Sequence, residues 1–433
     1  MFVLRPLAQR SISLLWAGQV LAATGSEFYM VAVVWIAADF IGSNAGYVSA
    51  LQSGMLLFGS LFGGILTDRW RHSTTMISSD VLRALLLLVL SVAGLMHVMS
   101  LPLLIVLAGC IALLTAAFDP SLQATLPTIA VDPDVRHATN GLFDATRRMA
   151  RILGPSLIAL VNGFLPKSQF FTVTAATLLL SALAVWLAVA RVPPAPRRRD
   201  FSGAAAVIDG VLGGWRAARG HAAILYGLFT NLMGNIAWAM GILLGMILHL
   251  RETSSDPLTD YSLMMMAYGV GNVTTNLILS NMKPRRPVVW IIVAKLIFGT
   301  GVFLLPLMHD RLWLMAVACF ASINGPFENL AMLHLMQTRS EPHRLAQIYR
   351  LMMCAIFLGL FLAYLMSPTL FAWFGIGPSI MGGGCRGFRR RADRNRAACL
   401  AAKASGRCDT GMRKGWPVFS RTGWKPILPG WCG

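Results

Sequence analysis

Three observations predict an all-α, polytopic membrane protein. Of the 433 residues 56% are hydrophobic and only 13% charged, where soluble globular chains carry about 25% charged residues. The apolar residues come in long blocks, such as LLLLVLSVAGLM (85–96) and TLLLSALAVWLAVA (177–190), matching the roughly 20 residues a helix needs to cross a bilayer. No period-two alternation marks barrel strands, and because lipid offers the backbone no hydrogen-bond partners, the spans must be helices.

The first apolar stretch, Leu14 to Phe40, is too long for a signal-peptide core and no small-residue cleavage pattern follows it, so it reads as a retained span. Hydropathy places helices at 14–40, 47–66, 75–96, 101–118, 141–163 and 169–190, six in a first unit covering residues 1–190. Residues 191–203, RVPPAPRRRDFSG, hold three prolines and four arginines and open a central connector, 191–220. A second unit, 221–381, has helices at 222–249, 261–281, 288–308, 312–336 and 348–374, only five.

Loop charge sets the orientation, because cytoplasmic loops hold the excess of Arg and Lys. With Arg5 and Arg10 placed inside, the inner loops hold Arg69 and Arg71, Arg136, Arg191 with Arg197 to Arg199, Lys283 with Arg285 and Arg286, and Arg339 with Arg344. The outer loops hold only Lys167, Arg251 and Arg311. The expectation is a multi-pass inner-membrane protein with a cytoplasmic N-terminus and connector.

After Met381, where a sixth span is due, residues 382–433 contain nothing able to cross a bilayer. Twelve Arg or Lys stand there against Asp393 and Asp409, which is ten of the chain's nineteen net positive charges. Eleven spans would leave this basic tail outside, against the charge rule. Four of the seven cysteines lie there too. Its Arg, Gly, Ala, Cys and Trp are what GC-rich codons give when read out of frame, so the tail reads as a frameshift product rather than a lipid-binding or nucleic-acid-binding segment. Cys110, Cys319 and Cys354 lie singly in apolar runs, and neither disulfides nor a metal site is expected.

The second helix ends in GGILTDRWRH (63–72). Gly64, Asp68 and Arg69 fit the pattern G-x-x-x-D-R/K-x-G-R/K-R/K, while Arg71 replaces its second glycine and Ser73 its last basic residue. Asp80 and Arg83 follow in SSDVLRALLLL. With six helices, a basic connector and a second set, the chain resembles the major facilitator superfamily, most closely the branch of siderophore exporters and transmembrane secretion effectors, over about residues 10–375. The resemblance implies two pseudo-symmetric six-helix bundles, here lacking one span, and a cytoplasmic gating network to which Asp68, Arg69, Asp80 and Arg83 would belong. The alternative is that Asp68, Arg69 and Arg71 only mark a turn.

The fifth helix places Asp144, Arg147, Arg148 and Arg151 at i, i+3, i+4 and i+7, on one face. Arg147 and Arg148 can snorkel to headgroups. Arg151 falls about 15 Å into a helix starting near 141 and is better placed to pair inside the bundle, so Asp144, Arg148 and Arg151 join the network. Gly154 and Pro155 resemble the glycine-proline pair of the family's antiporter motif, although Ala150, Ile158 and Ala159 stand where that motif has glycine.

Two carboxylates lie deep in apolar helices, Glu27 and Glu328. A buried carboxylate holds its proton more tightly than one in water, which suits proton coupling. A static hydrogen bond between helices is the other reading. Asn231, Asn235 and Trp238 share one helix face, as do Gln19 and Ser26. These are the substrate-cavity candidates, although amides also tie helices together. Lys295, about 12 Å inside its helix, can snorkel or pair with Glu328. No P-loop, His-Glu-x-x-His helix or nucleophile elbow occurs, so an enzyme is not expected. Nor is a cofactor, the driving force being a proton gradient. The expected partners are the bilayer and a small amphiphilic substrate, with no nucleic acid, and the protein is expected to be a monomer. Proton-coupled efflux leads. Uptake by symport or facilitated diffusion, and a non-transporting sensor or scaffold, are the rivals.

Overall fold

The computed structural model describes residues 6–382 except 68–70, 130–132, 190–211, 280–281, 283 and 340–341, together with the backbone alone at some positions of the helices beside these gaps. Among the described residues there are helices and no strands. In order they are α1 (Arg10–Ile41), α2 (Gly46–Thr67), α3 (His72–Leu95), α4 (Leu101–Ile129), α5 (Pro133–Val161) and α6 (Phe170–Val189). After the connector come α7 (Ala222–Thr253), α8 (Pro257–Leu279), α9 (Pro287–Leu304), α10 (Arg311–Ser322), α11 (Asn324–Arg339), α12 (Pro342–Phe374) and a short α13 (Ile376–Ile380).

The ends of these helices follow local chemistry. Gly42 closes α1 with φ 56, a conformation glycine adopts without a Cβ penalty, and its N–H returns to the Ala38 carbonyl. Asp310 caps α10 by accepting from the N–H groups of Leu312 at 2.8 Å and Trp313 at 3.3 Å. Seven helical stretches are long and apolar enough to cross a membrane, the first of which, Arg10–Gly59, contains α1 and much of α2. Met149–Val161 of α5 is a shorter apolar stretch, and α10 and α11 are shortened by the break between them.

Several helices differ from the hydropathy boundaries. α4 continues from 118 to Ile129 and therefore runs over Asp119. α5 begins at Pro133 instead of 141, which puts Arg151 about 27 Å from its start rather than 15 Å. Both extensions are polar, so a hydropathy window misses them although the backbone stays helical. The single helix expected at 312–336 is broken at Ile323. Pro326 explains the break: it has no N–H to offer the Ser322 carbonyl four residues back. The Asn272 side chain on α8 donates to that carbonyl instead, at 3.3 Å. In α7, residues Trp238–Gly245 form a π-helical segment that no periodicity announced.

α1 packs on α6 and α5, α2 on α4, and α3 on both α4 and α6. The second set echoes this, with α7 on α12, α8 on α10, and α9 on α10 and α11. The two sets meet through α2 against α12 and α5 against α8.

The apolar cores are distributed unevenly between the two ends of the helices. At the end carrying the α1–α2, α5–α6 and α7–α8 turns, called here the distal face, one cluster joins both sets. It includes Val31 to Ala38 of α1, Ile247, Leu248 and Leu250 of α7, Leu258 of α8 and Phe371 of α12. Toward the N-terminal end, the proximal face, two smaller clusters stand among the described residues. Leu15, Met76, Phe118, Leu126 and Val185 form one within the first set, and Ala218, Ile224, Met336 and Ile348 another within the second.

Candidate functional site

The second helix set builds a polar cluster around Glu328, which is 7% exposed on α11. Lys295 of α9 donates from Nζ to Glu328 Oε2 at 2.6 Å, so it pairs rather than snorkels. Asn231 of α7 donates to the other carboxylate oxygen at 3.4 Å. Asn235 Nδ2 in turn reaches the Asn231 side-chain oxygen at 3.2 Å and its carbonyl at 2.9 Å. A buried carboxylate is tolerable when it is paired and hydrogen-bonded, and Glu328 is both. Gly234 makes room for this. A Cβ at that position would stand 2.2 Å from Lys295 Nζ, so the ammonium reaches Glu328 through the space the glycine leaves.

Glu27 sits differently. It is half-buried on α1, and among the described residues no hydrogen bond or ion pair engages its carboxylate. Arg151 of α5 acts on it electrostatically. Between these helices lies Gly154, where a Cβ would come within 2.4 Å of Glu27 Cβ and 2.6 Å of Cγ. The glycine thus lets α5 lie directly against the glutamate, and Pro155 beside it is buried. The Arg151 guanidinium carbon lies 5.7 Å from the centroid of the Trp238 ring on α7, a cation–π contact between the two helix sets.

Trp238 and its neighbours connect the two carboxylates. The buried Tyr268 of α8 feels the charges of both Arg151 and Glu328 and lies alongside the Trp238 indole. Trp238 Nε1, Gln19 Nε2 and the Tyr261 hydroxyl are buried without a hydrogen-bond partner among the described residues. Tyr261 also lies within the field of Glu27. The result is a region with two acidic and two basic side chains and the aromatic rings of Trp238, Tyr261 and Tyr268, shared by α1, α5, α7, α8, α9 and α11.

The remaining predicted residues divide. Asp80 and Arg83 form a buried ion pair on α3, and Arg83 also donates to Thr115 of α4 at 3.3 Å and lies 5.1 Å from the Phe118 ring. Ser26 spends its hydroxyl on its own helix, donating to the Ala22 carbonyl at 2.8 Å. Asp68 and Arg69 lie outside the described residues, and Gly64, Asp144 and Arg148 are described by their backbone alone. The sequence reading left Lys295 undecided, and it passed over Tyr268, Tyr261 and Gly234. The signal for Gly234 was available in its position between Asn231 and Trp238, where a missing side chain leaves room for a partner's.

The profile of the Major Facilitator Superfamily matches residues 15–384. The chain belongs to that superfamily. The match ends beside the composition break that follows Met381. Among solved structures, a bacterial homologue of the human lysosomal transporter Spinster, inward-facing and unoccupied, shares 14% identity at a TM-score of 0.58, over 91% of this chain and 95% of that one. Its inward-facing, occupied form shares 15% identity at a TM-score of 0.57, over 92% and 96%. These likenesses bear on the fold. No curated protein sequence matches the chain. As a major facilitator it is a multi-pass membrane transporter of a small molecule, and the polar region between its helix sets is its candidate binding site.

Proposed function

We propose that this facilitator exports a small amphiphilic molecule, drug-like or siderophore-like, in exchange for protons, by alternating access. The observation that carries the reading is Glu27: a carboxylate deep in the helix bundle, unpaired among the described residues, pressed on Gly154 and one contact from a cation–π bridge between the two helix sets. A group in that position can take up a proton from one side and release it to the other. The aromatic rings of Trp238, Tyr261 and Tyr268 beside the paired and unpaired charges suit a substrate with an apolar body and a few polar atoms.

The proposal also includes a monomer in the inner membrane with its N-terminus in the cytoplasm, and a proximal gate to which Asp80 and Arg83 contribute with Asp68, Arg69, Asp144 and Arg148. Residues 382–433 are assigned to a reading-frame shift. The DNA should then encode an apolar run of span length in another frame after codon 381, and its absence would sink that assignment.

Proteoliposomes holding the purified chain and the amphiphilic cation ethidium test the transport reading. An imposed proton gradient should drive ethidium toward the proton-rich side, and Glu27→Gln should abolish the driven component. Movement down the proton gradient would establish uptake instead. If no probe in a panel of amphiphilic solutes moves under any gradient, the chain does not transport this class.

A further inference from the structure

The last stretch of the connector, residues 212–218, is a helix that ends in a turn at Arg219 and Gly220 and leads through His221 into α7. Its two faces are sorted by size. Gly214, Ala217 and Ala218 are buried and Gly213 is half-buried, while Leu212, Trp215, Arg216 and, in the turn, Arg219 are exposed at i, i+3, i+4 and i+7. The small residues bring this helix down onto α12: a Cβ at Gly214 would stand 2.5 Å from the Gln347 carbonyl oxygen and 3.1 Å from Leu351 Cβ. Ala217 and Ala218 join Ile348 and Met352 of α12 and Ile224 of α7 in one apolar cluster. The helix is thus fixed by its small face and turns its large one outward.

A helix that faces water places its large apolar side chains toward the core. Here the order is inverted. Leu212 is 45% exposed and Trp215 52%, interleaved around the helix with two arginines, which suits a boundary that is apolar on one side and charged on the other. The helix lies at the level of such a boundary. α12 has 33 residues, about 50 Å of helix against about 30 Å of hydrocarbon, and Gln347 and Ile348 fall in its first two turns. Trp is enriched at the headgroup layer, and the planar guanidinium fork of Arg matches phosphate oxygens.

Charge points to the same partner. Neither 210–250 nor 342–374 contains an Asp or Glu, so the adjoining parts of α7 and α12 bring no carboxylate to these arginines. On the distal face the basic side chains are engaged within the protein: Arg251 pairs with Asp39, Arg311 pairs with Asp260, and Lys167 and Arg251 both lie over the Trp35 ring. Among the described residues no hydrogen bond or ion pair engages the Arg219 side chain. We propose that Leu212, Trp215, Arg216 and Arg219 form a docking surface for the anionic phospholipid headgroups of the surrounding bilayer. Leu212 and Trp215 enter the acyl border and the arginines hold phosphates, which ties the start of α7 to the lipid. The inference rests on the chain's membership of a membrane-transporter family and not on the direction or coupling of transport.

In the full chain with its cysteines replaced by serine, Gly220→Cys carries a fluorophore beside this face, where a Cβ meets nothing within 4 Å. Proteoliposomes of phosphatidylcholine then receive brominated phosphatidylglycerol or, at the same fraction, brominated phosphatidylcholine, whose bromines quench at short range. Both should quench the label, phosphatidylglycerol more strongly. Arg219→Gln and Arg216→Gln alter exposed side chains only, and each should lower the preference for phosphatidylglycerol about fivefold. The double variant should remove it, and Arg311→Gln, on the opposite face, should leave it intact. A label quenched by neither lipid would put the face in water or against a protein and overturn the proposal. Equal quenching by the two lipids in the parent, or an unchanged preference in the double variant, would overturn it as well.

Discussion

Glu27 and Glu328 are carboxylates within the helix bundle, one in each helix set, and they are treated in opposite ways. Glu328 has an ammonium at 2.6 Å, an amide behind it, and a second amide behind that. Glu27 has an arginine within its field, and that arginine lies against Trp238. A carboxylate fixed by a buried cation must give up that pairing when protonated, whereas one with no fixed partner is free to exchange its proton. The difference supports the proposed coupling role for Glu27 and suits Glu328 to a structural one, although the two look equivalent along the chain.

The largest expected effect tests the structural side of the contrast. Lys295→Ala leaves a buried carboxylate unpaired and should cost about 3–5 kcal/mol, read as a drop in thermal unfolding temperature in detergent. Combining Lys295→Met with Glu328→Gln should recover most of it, and a single variant that melts like the parent would dissolve the contrast. Gly154→Ala comes next. It drives a Cβ into Glu27, with an overpacking cost of about 1–3 kcal/mol and loss of flux, both measurable on one preparation. Trp238→Phe keeps a ring beneath Arg151 and should cost no more than about 1 kcal/mol, while weakening binding of any substrate that uses Nε1, as titration of bound ethidium would report. The smallest stability effect is expected from Glu27→Gln, at most about 0.6 kcal/mol, the mean worth of a polar contact between membrane helices. Its proton-driven flux should nevertheless disappear. A large loss of stability there would make Glu27 a second Glu328.

The helices were legible because lipid leaves the backbone no alternative, so apolar length alone marks them. Where they leave the hydrocarbon, as in the polar ends of α4 and α5, that constraint lapses and hydropathy stops too early. The shared face of Asn231, Asn235 and Trp238 followed from helical period, and so did the closeness of Asp80 and Arg83. Pairings between helices did not. Lys295 and Glu328 are 33 residues apart and their meeting depends on packing. The fit of Gly154 on Glu27 likewise joins two helices whose relation no periodicity records. The π-helical segment escaped because its residues are uniformly apolar, and such a run looks the same wound at either pitch.

That segment has a consequence for how the chain tolerates change. One residue advances an α-helix by about 100°, and a π turn absorbs an extra residue without breaking the helix. Trp238–Gly245 therefore acts as an angular offset in α7, between the asparagines below it and Arg251 above it. Removing one residue from this stretch would leave hydropathy and charge untouched. It would also let the wide turn close to α-helical pitch, so that Arg251 keeps its bearing toward Asp39 and Trp35 better than after a deletion elsewhere in α7.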